Sequence, residues 1–213
     1  GYLPEAVINF LALLGWNPGN DIELMTLDEM VRLFDLTHCS KSGAKFDYEK
    51  GKWFNHHYIQ TSSNERLAAL LRPSLEAAGI TFDADYVARA IGLTKERAQT
   101  LLELEEQIAY FFTAPTAYDE KTVKKRWKED SAAQLTELAA LLATQPEDLP
   151  SEATEEVVKA WIEEKGYGLG AVMNCFRLAL VGAAKGPHLF DIIELLGRGE
   201  TLQRLQRAIE VLG

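Results

Sequence analysis

Arg177 is a lone cation inside an apolar run, Phe176 to Val181, and it is the first residue in the sequence placed as if for chemistry. A few residues on, Lys185-Gly186-Pro187-His188-Leu189 opens the chain and restarts it. Pro187 suits the first turn of a new helix, where its missing N–H costs nothing. That first turn leaves backbone N–H groups without helical partners, and such groups suit an anion or the edge of a base. The plain alternative is a helix–loop–helix core whose arginine snorkels to water. On these residues alone both readings stay open. Arg97 is the second candidate. With Thr94 read as the cap of a helix running from Lys95 to Phe112, Arg97 falls in the first turn. A cation there opposes the helix dipole, so it has either no meaning or a purpose.

Other chemistry was sought in the residues. There is no glycine-rich phosphate loop of the Walker type, no dinucleotide fingerprint and no Gly-x-Ser-x-Gly elbow. Glu103, Glu105 and Glu106 read as a solvated face, with nothing opposing them across a cleft. His56 and His57 are adjacent, so on a helix they point to different sides and no metal site is expected. Lys121, Lys124, Lys125, Arg126 and Lys128 form a basic cluster, diluted by Asp119, Glu120, Glu129 and Asp130. It reads as a solvated helix face rather than a phosphate track. No catalytic constellation is visible, and the chain reads as a binding module.

The elements that must position these residues are helical. Of 213 residues 47% are hydrophobic and 25% charged, enough for a packed core and too apolar for disorder. The net charge is -10, which argues against a non-specific polyanion binder but leaves room for a local patch and a few base-reading side chains. Cys39 and Cys175 lack CxxC spacing, so free thiols in a reducing compartment are expected. With no membrane-spanning run and no signal-peptide pattern, the expectation is a cytoplasmic protein. The absence of an initiating Met suggests a piece of a longer protein.

In chain order, Pro4 to Leu14 reads as a helix burying Val7, Ile8, Phe10, Leu11 and Leu14. Thr26 with Glu29 forms a capping box for a helix through Phe34, and 40–44 is a polar loop. Tyr48 to Tyr58 is helical. Ser62 with Glu65 caps Arg66 to Ala78, which Pro73 interrupts or kinks. Asp83 or Asp85 caps a helix through Ile91, and the Thr94-capped helix follows. After a break at Ala114-Pro115-Thr116 come helices over 132–142 and 154–165, the second burying Val157, Val158, Trp161 and Ile162. Gly182, at the end of the Arg177 helix, is small enough for a close backbone approach. Leu189 to Leu196 ends at Gly197 as a left-handed cap, and Glu200 to Leu212 closes the chain. The fold class is all-α: short helices in successive small bundles.

Several stretches carry a family resemblance. Gly1-Tyr2-Leu3-Pro4-Glu5-Ala6 and Asn9-Phe10-Leu11-Ala12-Leu13-Leu14-Gly15-Trp16 resemble the segment after the signature lysine loop of bacterial glutamyl-tRNA synthetases. Phe46-Asp47-Tyr48-Glu49-Lys50 and Trp53-Phe54-Asn55-His56-His57-Tyr58-Ile59 are similar to that family's stem-contact region. Lys95-Glu96-Arg97-Ala98 and the Arg177 stretch look like its two anticodon-binding subdomains, of the class I synthetase type. The resemblance implies three parts: a stem-contact region at 1–61, a first anticodon-binding subdomain at 62–117 and a second at 118–213. It implies that Arg97 reads the third anticodon base as a cytosine, and that Arg177, Gly186, Pro187 and Leu189 hold the first two, with Leu189 packing a base face. His188 departs from the family pattern.

The family's nucleotide motifs lie upstream of Gly1, so this chain is expected to bind tRNA(Glu) and to be inactive by itself, with no catalytic and no metal-binding residues. The whole enzyme, a ligase using ATP and Mg, attaches glutamate to tRNA. Neither DNA nor a membrane is an expected partner, and the expected state is a monomer. The reading from another class is a free-standing acidic all-α adaptor for proteins.

Overall fold

The computed structural model describes residues 1–41, 43 and 45–213, so Ser42 and Ala44 of the expected polar loop lie outside the described residues. Among the described residues the chain is helical, with one isolated antiparallel bridge between Trp16 and Cys39 and no strand. The all-α expectation holds. No helix among these residues is long and apolar enough to cross a membrane. The chain forms two compact units, Gly1–Gln107 and Ile108–Gly213.

The first unit contains α1 (Pro4–Gly15), α2 (Leu27–Leu33), α3 (Tyr48–Thr61), α4 (Asn64–Ala77), α5 (Ala84–Thr94), a 3-10 turn (Lys95–Arg97) and the start of α6 (Leu101–Phe112). Its helices begin where a short side-chain oxygen can take up an orphan N–H. Both halves of the Thr26–Glu29 capping box are present, Asp47 accepts from the N–H groups of Glu49 and Lys50, and Asp83 accepts from that of Tyr86. Each such cap stabilises its helix by about 1 kcal/mol. The cap expected at Ser62 belongs instead to Ser63, which accepts from Arg66 N–H. Ser62 Oγ is already donating to Tyr58 O at the end of α3. α4 then runs unbroken through Pro73.

The face of α1 also differs from expectation. Ala6, Asn9 and Phe10 are buried, whereas Val7, Ile8 and Leu11 are exposed. The helix packs on α3 through a narrow side that includes the amide of Asn9. Asn9 is fully buried. Its amide donates to Glu23 O at 2.9 Å, and its oxygen accepts from Met25 N–H at 3.0 Å and from the Tyr58 hydroxyl at 2.7 Å. Holding those three groups requires the Asn9 side to face inward, and the apolar side turns out.

The second unit contains the end of α6, then α7 (Glu120–Arg126), α8 (Ser131–Ala143), α9 (Ser151–Lys165), α10 (Leu169–Val181) and α11 (Leu189–Leu212). α11 packs against α8, α9 and α10. Leu135, Leu138, Leu142, Val158, Phe176 and Phe190 are fully buried among these helices, and Val157 is only half-buried. Gly197 interrupts the helix where expected, but not as a left-handed cap. Its φ of 75° and ψ of 169° make a kink inside α11, a conformation only glycine adopts readily. Arg198 N–H donates to Glu147 O at 2.9 Å and fixes the kink from outside.

At the centre of this unit sits Arg204, 2% exposed. Its guanidinium donates to Tyr110 O at 2.7 Å, to Leu180 O at 2.8 Å and to the Glu200 carboxylate at 2.7 Å. The two carbonyls lie in the last turns of α6 and α10, where no helical N–H remains to meet them. Arg204→Ala would strand both in the interior, at about 1–3 kcal/mol each. We therefore expect equilibrium urea unfolding of Arg204→Ala to show a loss of about 2–5 kcal/mol. A loss below about 1 kcal/mol would mean that water or a neighbouring group replaces the guanidinium.

Candidate nucleic-acid interface

The turn between α10 and α11 is built around two glycines. Gly182 ends α10 in the left-handed region (φ 80°), with its N–H bonded to Leu178 O at 2.8 Å. A Cβ there would come within 2.9 Å of Ala117 O and of Pro115 Cβ. The close backbone approach expected of Gly182 is therefore present, and it is the 115–117 segment that approaches. Gly186 has φ 112°. A Cβ on it would face Arg177 Nη1 and the Tyr110 hydroxyl, each at 3.4 Å.

Arg177 is half-buried and its side chain folds back onto the turn. Nη1 donates to Pro187 O at 2.8 Å and to Lys185 O at 3.3 Å. The guanidinium thus gathers two carbonyls of an irregular segment and fixes the path of Lys185–Pro187. Pro187 is buried, whereas Lys185 and His188 are exposed. Leu189 is 2% exposed, so as the turn stands it offers a ligand its backbone N–H rather than a side-chain face. His188 occupies the cap position of α11 without making a capping bond, so its side chain leaves the first-turn N–H groups uncovered.

The imidazole instead lies 3.3 Å from Glu155 and 3.5 Å from Asp191. Asp191 also accepts from the Ser151 hydroxyl at 2.7 Å, and Ser151 N–H donates to Glu194 at 2.9 Å. These contacts fasten the first turns of α11 to α9. A hydrogen bond from Lys159 holds the Glu155 carboxyl below the usual range, so it is ionised near neutrality beside His188.

Arg177, Gly186, Pro187 and Leu189 are thus brought together in the second unit. What they form is a small, preorganised backbone surface that presents amides and little side chain. Such a surface can read the edges of an unstacked base. Tyr110 and Arg204, which bear on this turn or on the helix ends behind it, were not singled out by the sequence.

Arg97 belongs to the first unit, and its helical setting differs from expectation. α5 continues to Thr94 and into the 3-10 turn, so Arg97 closes a helical end rather than opening one. Thr94 does not cap. Its hydroxyl donates back to Ala90 O at 2.9 Å. A cation at this end suits the dipole, and the expected misfit disappears. The chain then breaks at 98–100 because α3 reaches it there: His56 Nδ1 lies 2.8 Å from Ala98 O, and the Asn55 amide donates to Gln99 O. α6 starts afresh with Thr100 Oγ1 accepting from Glu103 N–H at 3.1 Å. Thr100-Leu101-Leu102-Glu103 carries the capping pattern that could have revealed this start. Arg97 itself is exposed, and its carbonyl accepts from the Gln107 amide at 3.2 Å.

Comparison with known proteins shows the class to which this helical chain belongs. Residues 66–209 match the family model described as anticodon binding domain, so the chain belongs to that family. Residues 1–53 match the catalytic domain of class I tRNA synthetases (E and Q). The chain is 62% identical over 213 residues to a glutamate–tRNA ligase of Porphyromonas gingivalis, and 48% identical over 212 to one of Flavobacterium johnsoniae. Each match covers all of this chain and 42% of the relative. A glutamate tRNA ligase from Elizabethkingia meningosepticum, solved in complex with its amino acid, superposes with a TM-score of 0.92 at 39% identity. That match covers 100% of this chain and 42% of the solved one. The chain therefore spans about two fifths of the length of the ligases it matches.

The turn gives a direct prediction. Arg177→Ala removes charge-assisted bonds to two carbonyls, worth about 1.5–3 kcal/mol when buried and less at this half-exposed site. Amide hydrogen exchange at Ile192, whose N–H bonds His188 O at the start of α11, is expected to accelerate by about tenfold with helicity unchanged. Unchanged protection would show that the guanidinium does not hold the turn.

Proposed function

We propose that this chain is the tRNA-recognising part of a glutamate–tRNA ligase and that it reads the anticodon of tRNA(Glu). The observation that carries the reading is its end-to-end similarity, at 62% identity, to a glutamate–tRNA ligase. The amide-bearing turn falls inside the stretch that matches the anticodon-binding family, which supports placing base recognition there. The same similarity favours this reading over a free-standing protein adaptor. In functional terms residues 1–61 contact the tRNA stem, 62–117 form the first anticodon-binding subdomain and 118–213 the second.

In the second subdomain Arg177 holds the turn in shape and adds positive charge. The backbone N–H groups of His188 and Leu189 meet the edges of the first two anticodon bases, with Gly186 shaping the turn and Pro187 fixing the entry into α11. In the first subdomain the exposed guanidinium of Arg97 donates to the O2 and N3 acceptors of a cytosine in the third position.

The whole enzyme activates glutamate with ATP and Mg and esterifies it to tRNA, as a monomer in the cytoplasm. The residues of this chain do not fit either cofactor. Its sequence has no glycine-rich phosphate loop, and among the described residues no three His, Cys, Asp or Glu are grouped to hold a metal ion. No step of the chemistry is assigned to them.

Glutamate anticodons end in C and glutamine anticodons in G, so one base separates the two tRNAs. A guanine opposite Arg97 would bring a larger ring and a donor edge to a donor. That mismatch costs on the order of 1–3 kcal/mol, or about ten- to a hundredfold in affinity. We expect the chain to prefer a stem-loop ending in C over its G counterpart by that factor. Arg97→Gln should narrow the gap, because an amide can both donate and accept. Fluorescence polarisation with the two stem-loops, on parent and variant, measures the ratio. A ratio left unchanged by the substitution would remove Arg97 as the discriminator.

A further inference from the structure

The side of α7 away from the core carries four lysines and nothing apolar. Lys121, Lys124, Lys125 and Lys128 are spaced as one face of a helix, the pattern ordinarily filled by a buried stripe, yet all four are exposed. Thr122, buried, and Val123 and Trp127, half-buried, form the inward side. Lys128 lies just past the last helical residue, but its Nζ donates to Lys124 O at 3.2 Å and stays over the same face.

Like charges at this spacing cost helix stability. Opposite charges relieve that cost only in part: Asp119 interacts with Lys121, but no close ion pair forms. Among the described residues none of the four lysines lies within 4.0 Å of a carboxylate, whereas Lys50, Lys52, Lys159 and Lys165 each have such a partner. Two acids that the sequence counts as diluting the cluster are occupied elsewhere. Asp119 caps α7, accepting from Thr122 N–H and Oγ1 at 2.7 and 2.6 Å. Asp130 accepts from the Gln134 amide at 2.7 Å. The expectation of a diluted, merely solvated face loses its main support.

The position of the face matters as much as its charge. α7 lies antiparallel on α10: Asp119 N–H donates to Gly182 O at 2.8 Å at one end, and Cys175 Sγ contacts Arg126 O at 3.3 Å at the other. The lysine row therefore begins where α10 gives way to the Arg177-held turn, and runs back along α10. At 1.5 Å per residue it extends about 10 Å, long enough to follow more than one phosphate of a strand. Ammonium groups are point charges without a fork, suited to phosphate oxygens rather than to base edges.

We propose that this lysine face is a phosphate-contacting surface for the backbone of the RNA stem whose loop reaches the α10–α11 turn. The proposal rests on the anticodon-binding reading above. Its occupant is an RNA backbone, not an acidic protein, because the face is continuous with that turn.

The test is a salt titration of stem-loop binding by the 213-residue chain, comparing the parent with K121Q/K124Q/K125Q/K128Q. Each engaged lysine should lower the slope of log K against log salt by about 1, so a fall of about 2–4 is expected. The ratio between stem-loops ending in C and in G should not change, since phosphate contacts carry no sequence information. The fourfold Lys→Arg variant should keep the parent slope. The control K165Q removes a lysine of the same unit that is ion-paired to Glu137 and should leave it unchanged. A parent-like slope in the glutamine variant, or an equal loss per charge in the control, overturns the α7 proposal while leaving anticodon binding intact. A parent that binds no stem-loop overturns both.

Discussion

An α-helix leaves its last four carbonyls without helical partners, and a chain folded from many short helices meets that problem repeatedly. In the second unit the answer is one buried guanidinium. Arg204, from α11, takes a carbonyl from the end of α6 and another from the end of α10. Arg204 lies beyond the Gly197 kink of α11, and from there it ties the end of α10, where the turn begins, to the end of α6. The start of the turn is therefore positioned by buried hydrogen bonds. The first unit solves its own version with buried amides. Asn55 accepts from Leu3 N–H and donates to Gln99 O, and Asn9 holds the 23–25 segment. In each unit, irregular backbone is held by fully or nearly fully buried polar side chains and not by apolar packing alone.

That arrangement alters what an arginine next to a binding turn is for. From the sequence, Arg177 is either a base contact or a snorkelling core residue. In the structure Nη1 donates to the carbonyls of Lys185 and Pro187, a further task for the side chain. The bonds hold two acceptors of the turn on the side of Arg177. A turn ordered before binding does not lose that conformational freedom when a ligand arrives, so the same few hydrogen bonds yield more net affinity. A guanidinium carries five donors, so shaping the turn does not exhaust what the residue can do.

How far the fold could be read from the sequence follows from where the determining atoms lie. Thr26, and Asp83 as one of two choices, were legible as helix starts because a cap is a local bond between neighbours in the chain. The α1 face was not, because Ala6, Asn9 and Phe10 compete with a more apolar side whose exposure no local pattern shows. The break after Arg97 has no glycine or proline to mark it and is imposed by Asn55 and His56, more than forty residues away. Its one local signature, Thr100 with Glu103, was hidden behind the stronger-looking Thr94. Gly186 and Pro187 were legible as a turn. Arg204 was not, since an arginine in a final amphipathic helix looks like surface, and its partners lie 94 and 24 residues earlier.

The net charge of -10 suits a reader of RNA once distance is considered. At about 0.1 M salt, charges more than about 10 Å apart are largely screened from one another. A phosphate approaching α7 therefore meets four lysines spread over a comparable distance, together with the acids that flank them, while acids farther off are screened. The acidic remainder still acts at long range and low salt, where it weakens attraction to any polyanion that offers only phosphates. In the proposed reading a ligand supplies both a backbone at the lysine face and unstacked bases at the turn. Selectivity in such a design comes from requiring two weak, different contacts at a fixed separation. That separation is set by α10, which Gly182 and the buried Arg204 hold in place.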